Sequence, residues 1–216
     1  MTAPARCASL WVFATALLTP TFFFMQGCAT PGTGHHAAAP GRVLVSMVTN
    51  KGEFVLELDP EHAPVSVANF LRYAQRGDYD GNIFHRVVPG FVIQSGGHSP
   101  DLTELPGDDP IINEWGNSLT NARGTIGMAR DADPDSATRQ WYINLADNDR
   151  LDIAREVSGN AGYAVFGRVI EGMDVVDAIA AVQTYDQPGE GDDVLKNIPV
   201  EPVILERVEP INALDR

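Results

Sequence analysis

Residues 83–97 read IFHRVVPGFVIQSGG. Branched and aromatic residues on either side of a Pro-Gly pair describe two short strands folded about a tight turn. Arg86 is the one permanently charged group in a stretch whose other members suit a core. A strand can point such a residue at water, or hold it rigidly beside a pocket. The rest of the chain decides between these uses.

Outward from this hairpin, the pattern is mostly strand. RVLVSMVT (42–49) and GEFVLELD (52–59) are apolar or alternating runs joined by Asn50-Lys51-Gly52, a hairpin signal. APVSVANFLRYAQRG (63–77) places Val65, Val67, Phe70, Leu71 and Ala74 on one helical face, opened by Pro64 and closed by Gly77. Further strands are expected at GTIGMAR (124–130), QWYINLA (140–146), YAVFGRVI (163–170) and PVILERVEPI (202–211), with a second helix at GMDVVDAIAAV (172–182). Eight strands and two helices over residues 43–216 suggest a mainly β domain. The expected form is a closed eight-stranded antiparallel β-barrel capped by two α-helices. Strand count alone does not separate it from a sandwich.

The N-terminal part has a different composition. Residues 1–27 carry Arg6, no acid, and an apolar run from Leu10 to Met25, the layout of a secretion signal. That run is shorter than the ~20 residues of a membrane-spanning helix, which favours cleavage over insertion. MQGC (25–28) resembles the lipobox of bacterial lipoproteins and implies a lipidated Cys28, although Met25 and Gln26 depart from the Leu and small residue usual there. Ordinary soluble export and an uncleaved anchor are the alternatives. Residues 28–42, rich in Ala, Gly, Pro and Thr, read as a tether, in which His35-His36 is a solvated pair. With Cys7 removed and Cys28 lipidated, no disulfide remains for the mature chain.

Charge narrows the partners. The 15 Lys+Arg, less Arg6, are 14 against 29 Asp+Glu, a net charge of −15 after cleavage. Such a surface repels phosphate backbones and anionic headgroups, so no nucleic acid partner is expected and membrane contact falls to the lipid alone.

Several chemistries are excluded by spacing. No G-x-S-x-G elbow, P-loop or dinucleotide fingerprint occurs. His62, His85 and His98 lack the paired spacing of a zinc site. Asp131, Asp133 and Asp135 alternate as a calcium loop begins, but Pro134 and Ser136 stand where turn-forming Gly belongs and no glutamate closes the loop. No metal and no cofactor are expected, and the acidic loop reads as solvated.

Three stretches carry a resemblance: FHRVVPGFVIQSGG, GTIGMARDADPDSATRQWYINLADNDRLD and GYAVFGRVIEGMDVVDAI, in this order. With the pattern around them, residues 43–210 resemble a cyclophilin, a peptidyl-prolyl cis-trans isomerase, of the bacterial exported branch. The resemblance implies that Arg86 is the principal catalytic residue, with Gln94 and Phe91 beside it. Phe91, Val92, Tyr142 and Leu151 match the apolar lining for the proline ring, and Gln94 and Gln140 the amides that address the substrate backbone. Ala129 and Arg130 fall on the strand edge along which the peptide lies, where backbone groups should matter more than side chains. Tyr163 sits where many members have histidine. His85 is expected to be a buried structural histidine, and Trp141, alternating with Gln140 and Tyr142, to face the core.

Departures from the pattern raise further expectations. Tyr142 replaces the common phenylalanine and adds a hydroxyl that must find a partner or water. Arg150 occupies the place of an aromatic residue that helps cyclophilins bind cyclosporin. Arg139 and Arg150 are expected to put positive charge at the rim of the site, with Asp147, Asp149 and Asp152 near enough to cancel it. The implied substrates are proline-containing polypeptides of the cell envelope, handled by a monomer. Two rivals stand beside the enzyme: a barrel that grips proline-containing chains with little turnover, and a structural lipoprotein that displays an acidic surface.

Overall fold

Alternation of apolar side chains sets the strands of the computed structural model, which describes residues 41–187 and 195–211. The expected leader, Cys28, His35-His36 and the tether as far as residue 40 lie outside the described residues. Strands β1 (Val43–Thr49) and β2 (Gly52–Leu58) form a hairpin about Asn50-Lys51, sending Val45, Met47, Phe54, Leu56 and Leu58 fully inside. Helix α1 (Pro64–Arg76) begins with proline at its first turn and ends on Gly77 at φ 72°. Ala63 offers no side-chain cap; instead Glu114, from a distant loop, accepts from the Val65 and Ser66 amides at 2.9 and 2.8 Å.

Strands β3 (Arg86–Val88), β4 (Val92–Ser95), β5 (Thr125–Met128), β6 (Trp141–Asn144) and β7 (Val165–Glu171) follow. Helix α2 (Met173–Ala180), the β8–β9 hairpin (Thr184–Gln187 and Leu195–Pro199) and β10 (Leu205–Ile211) complete the described chain. The main sheet has eight antiparallel strands in the order β10-β1-β2-β7-β5-β6-β4-β3. Its concave face buries Val87, Ile93, Ile126, Trp141, Ile143 and Phe166. Phe70 of α1 packs its ring 6.2 Å from Trp141 and 5.5 Å from Phe166, and Val176 and Ile179 of α2 are also fully buried. Burying aromatic and branched side chains at about 1.5–3 kcal/mol each is what seats the two helices on the sheet.

Two expectations need correction. The sheet is an open half-barrel, not a closed barrel, because no ladder joins β3 to β10. Closure needs edge strands long enough to pair in sustained register, and β3 has three residues against seven in β10. Among the described residues the segments leading into these edges meet through the Ile83–Ile204 bridge and backbone bonds such as Phe84 N–H to Val203 O at 2.9 Å. The second correction is the separate β8–β9 hairpin, missed because β8 is largely exposed and neither strand shows an apolar alternation.

Candidate active site

The β3–β4 hairpin turns on Pro89 and Gly90, with Gly90 at φ 71° and the Phe91 N–H donating to Val88 O at 3.0 Å. Proline at the second position and a left-handed glycine at the third make a type II turn. The turn pairs Arg86 with Gln94, and β4 in turn pairs Gln94 with Tyr142 of β6. Because strand side chains alternate, these three stand in a row on the face opposite Val87, Ile93 and Trp141.

The row is held by hydrogen bonds. Arg86 Nη1 donates to Gln94 Oε1 at 3.2 Å, and Gln94 Nε2 donates to Gln140 Oε1 at 2.9 Å. Burial, opposed weakly by Tyr163, pushes the Arg86 guanidinium below its ordinary pKa, yet an arginine stays charged at any physiological pH. The Arg86 guanidinium also lies 5.7 Å from the Phe91 ring centroid. Beneath it, Val92, Tyr142 and Leu151 form a small apolar cluster, with Phe91, Ala129 and Tyr163 packed against it.

Tyr142 reaches this floor because the facing β5 residue is Gly127, where a Cβ would come within 2.5 Å of the tyrosine hydroxyl. The hydroxyl finds its partner inside the protein: it donates to Asn121 Oδ1 at 2.7 Å. Asn121, fully buried, also donates through Nδ2 to Asp152 Oδ1 at 2.6 Å and to Tyr163 O at 3.2 Å. Burial is the main cause that raises the Tyr142 hydroxyl well above its ordinary pKa, so it stays a donor.

Behind Gln140, Gly97 leaves the space for its side chain, since a Cβ there would approach within 2.5 Å. His85 and His98 stack with ring centroids 4.4 Å apart, and burial, helped by His98 and Arg86, lowers His85 to about 3 against a bond with Gln140. His85 is thus a neutral buried ring. On the other flank the Ala129 N–H donates to Gln140 O at 3.0 Å. The Arg130 side chain does more than expected: its Nη2 donates to Ser158 O, Ala161 O and Gly162 O at 3.0, 3.0 and 2.8 Å, pinning the loop before β7. Its guanidinium covers the Tyr163 ring at 4.3 Å.

All ten residues expected at the site, Arg86, Phe91, Val92, Gln94, Ala129, Arg130, Gln140, Tyr142, Leu151 and Tyr163, line one cleft of about 420 Å³. Sequence reasoning missed Glu104, Asp131, Ser136, Thr138 and Arg155 in its lining. Asn121, beneath the floor, was also missed; only the unassigned Tyr142 hydroxyl hinted that such a partner exists. Arg139 is not at the rim: it is buried, with Nη1 on Pro106 O at 2.9 Å and Nη2 on the Asp78 carbonyl at 2.6 Å. Arg150 does stand there, 5.7 Å from the Phe91 centroid. Asp152 is engaged by Asn121, and Asp147 accepts from the Arg123 N–H at 2.8 Å. In the acidic loop, Asp133 Oδ1 accepts from the Asp135 N–H at 3.0 Å and Asp135 Oδ1 from the Asn113 N–H at 2.8 Å. Among the described residues no group of three or more His, Cys, Asp or Glu is placed to hold a metal ion.

Comparison with known proteins gives the family. The family model described as cyclophilin type peptidyl-prolyl cis-trans isomerase/CLD matches residues 44–209. Peptidyl-prolyl cis-trans isomerase A of Dickeya dadantii is 44% identical over 174 residues, 81% of this chain and 87% of the relative. Peptidyl-prolyl cis-trans isomerase B of Escherichia coli is 45% identical, over 76% of this chain and 98% of the relative. A crystal structure of a Cryptosporidium parvum cyclophilin type isomerase shares the fold, with a TM-score of 0.65, 22% identity, and 79% and 98% of the two chains covered. By the match over nearly all of its β-sheet domain, the chain belongs to the cyclophilin-type peptidyl-prolyl cis-trans isomerase family.

Proposed function

We infer that the chain is a peptidyl-prolyl cis-trans isomerase that works by binding the twisted amide, with Arg86 as its principal catalytic group. The observation that carries this reading is the Arg86 guanidinium, held by Gln94 at 3.2 Å beside an apolar floor of Val92, Tyr142 and Leu151. An amide resists rotation by ~18–20 kcal/mol because its nitrogen shares a lone pair with the carbonyl. As the bond twists, that lone pair localises on nitrogen and can accept a hydrogen bond. A fixed guanidinium donor then binds the twisted state better than either planar one, which is what lowers a barrier. The floor takes the proline ring by hydrophobic burial, and Gln94 and Gln140, themselves linked at 2.9 Å, address the flanking backbone. No covalent bond forms and no proton is transferred.

A protease-coupled assay on short X-Pro peptides tests the reading. The expected result is isomerisation faster than the uncatalysed rate and linear in protein concentration. Peptide binding without acceleration would favour the rival, a module that grips proline-containing chains, for which no feature of the cleft speaks specifically. Relatives named as isomerases support the enzyme, and a Cryptosporidium parvum relative has been crystallised in the presence of the dipeptide Ala-Pro.

The place of action is the cell envelope, with Cys28 as a lipid anchor and proline-containing exported chains as substrates for a monomeric domain. The support is the layout of residues 1–28 alone. Mass spectrometry of the mature protein should find a diacylglyceryl Cys28 at its N-terminus. An unmodified N-terminus beyond Cys28 would remove the anchor and leave the isomerase reading intact.

A further inference from the structure

The arginines of this acidic chain fall into two sets. Among the described residues, Arg42, Arg72, Arg76, Arg123, Arg168 and Arg207 each face a carboxylate. Arg86, Arg130, Arg139, Arg150 and Arg155 do not. Four of those five gather at one place: Arg86, Arg130 and Arg155 line the cleft, and Arg150 lies against Phe91 at its rim. Only two carboxylates, Glu104 and Asp131, share the lining. A chain of net charge −14 thus carries a locally cationic groove.

Arg155 is the half-buried member of the set without a partner; Arg150 also makes no hydrogen bond among the described residues, but it is exposed to solvent and lies against Phe91. Arg86 is held by Gln94, and Arg130 is spent on backbone carbonyls. The Arg155 side chain is half-buried, its Nε is buried without a partner, and its guanidinium makes no hydrogen bond or ion pair among the described residues. Its backbone is nevertheless fixed: its carbonyl accepts from the Ser158 and Asn160 amides at 3.0 and 2.9 Å. The next turn is locked by Arg130 and by Ser158 Oγ, which donates to Ala161 O at 2.8 Å. A preorganised guanidinium without an internal acceptor is suited to an acceptor brought by the ligand, and its planar fork fits a carboxylate on two bonds.

We propose that Arg155 is a specificity-determining residue that receives a carboxylate of the substrate, so that X-Pro bonds with an Asp or Glu close to the proline are preferred. The proposal rests on the isomerase reading for the identity of the cleft. It adds the chemical class of the substrate: polypeptide segments acidic around proline.

The test uses one X-Pro peptide core with Glu, Gln or Lys placed one or two residues to either side of the proline. Binding and kcat/KM are measured on the parent protein, Arg155→Gln and Arg155→Lys, each confirmed folded by a thermal melt, at low and at ~1 M salt. At one of these positions Glu should outrun Lys by roughly fivefold, the scale of a partly screened ion pair. The ratio should fall to near one in Arg155→Gln, survive in part in Arg155→Lys, and shrink at ~1 M salt, where the screening length is about 3 Å. A ratio near one at every position, a ratio kept in Arg155→Gln, or an equal loss on all peptides would overturn the proposal. Absence of turnover on every peptide would instead remove the isomerase reading, while the binding ratios would still decide the role of Arg155.

Discussion

The two faces of β3, β4 and β6 are made from alternate residues of the same few tripeptides, and they serve different ends. One face presents Val87, Ile93, Trp141 and Ile143, all fully buried. The other presents Arg86, Gln94 and Tyr142, linked by hydrogen bonds from Arg86 to Gln94, from Gln94 to Gln140 and from Tyr142 to Asn121. Backbone register is common to both, so neither face can shift without the other. The difference teaches that stability and chemistry are stored on opposite sides of one ladder. Truncation on each side should therefore move a different observable.

The largest effect is expected on the core side. Trp141→Ala removes a fully buried ring in contact with Phe70, Tyr79 and Phe84 and should cost ~3–5 kcal/mol, read from the denaturation midpoint. A loss below ~1 kcal/mol would mean that this face does not anchor the sheet. On the cleft side, Arg86→Ala should lower kcat/KM by roughly 10²–10³, or ~2.7–4 kcal/mol in the barrier, with little change in the melt. Arg86→Lys should recover only part, because an ammonium lacks the planar fork. A folded Arg86→Ala protein within threefold of the parent would end the mechanism and erase the contrast between the faces.

His85 tests the boundary between them. Its folded pKa of about 3 lies below the ordinary value of 6.5, so the unfolded chain binds more protons between those values. Stability should fall as pH drops through that window, at up to ~1.4 kcal/mol per pH unit for one proton. His98 is lowered in the same direction, chiefly by burial. Denaturation curves at several pH values should show a shallower dependence for His85→Gln. An unchanged slope would show that His85 takes up its proton in the folded state. The smallest effect belongs to Tyr142→Phe, which deletes the bond to Asn121 but leaves its Oδ1 accepting from Asn144 at 3.1 Å. It should cost ~0.5–1.5 kcal/mol of stability. A loss above ~3 kcal/mol would move Tyr142 to the core side of the comparison.

Local signals were legible because their causes are local. The Pro89-Gly90 turn, the alternation through Val87, Ile93 and Trp141, and the Pro64 and Gly77 ends of α1 all follow from backbone preferences of a few adjacent residues. Resemblance carried the ten cleft residues, which the sheet and the loops between its strands bring to one surface. Arg139 was misplaced because period-2 alternation tells which side of a strand a residue faces, not whether a carbonyl from a loop 33 or 61 residues away waits to receive it.

What the sequence determined by itself is therefore the strands of the main sheet and the two helices, the short hairpin that carries Arg86 and Gln94, and the family to which they point. Tertiary structure alone decided that the sheet stays open, since that depends on the length of β3 relative to the far edge. It also decided that the Tyr142 hydroxyl is received by Asn121, 21 residues away, and that Arg155 is left without an acceptor among the described residues. Hydrogen bonds and ion pairs are settled by distances of a few tenths of an ångström between segments far apart in the chain, and sequence pattern fixes which side of a strand a group takes but not what meets it there.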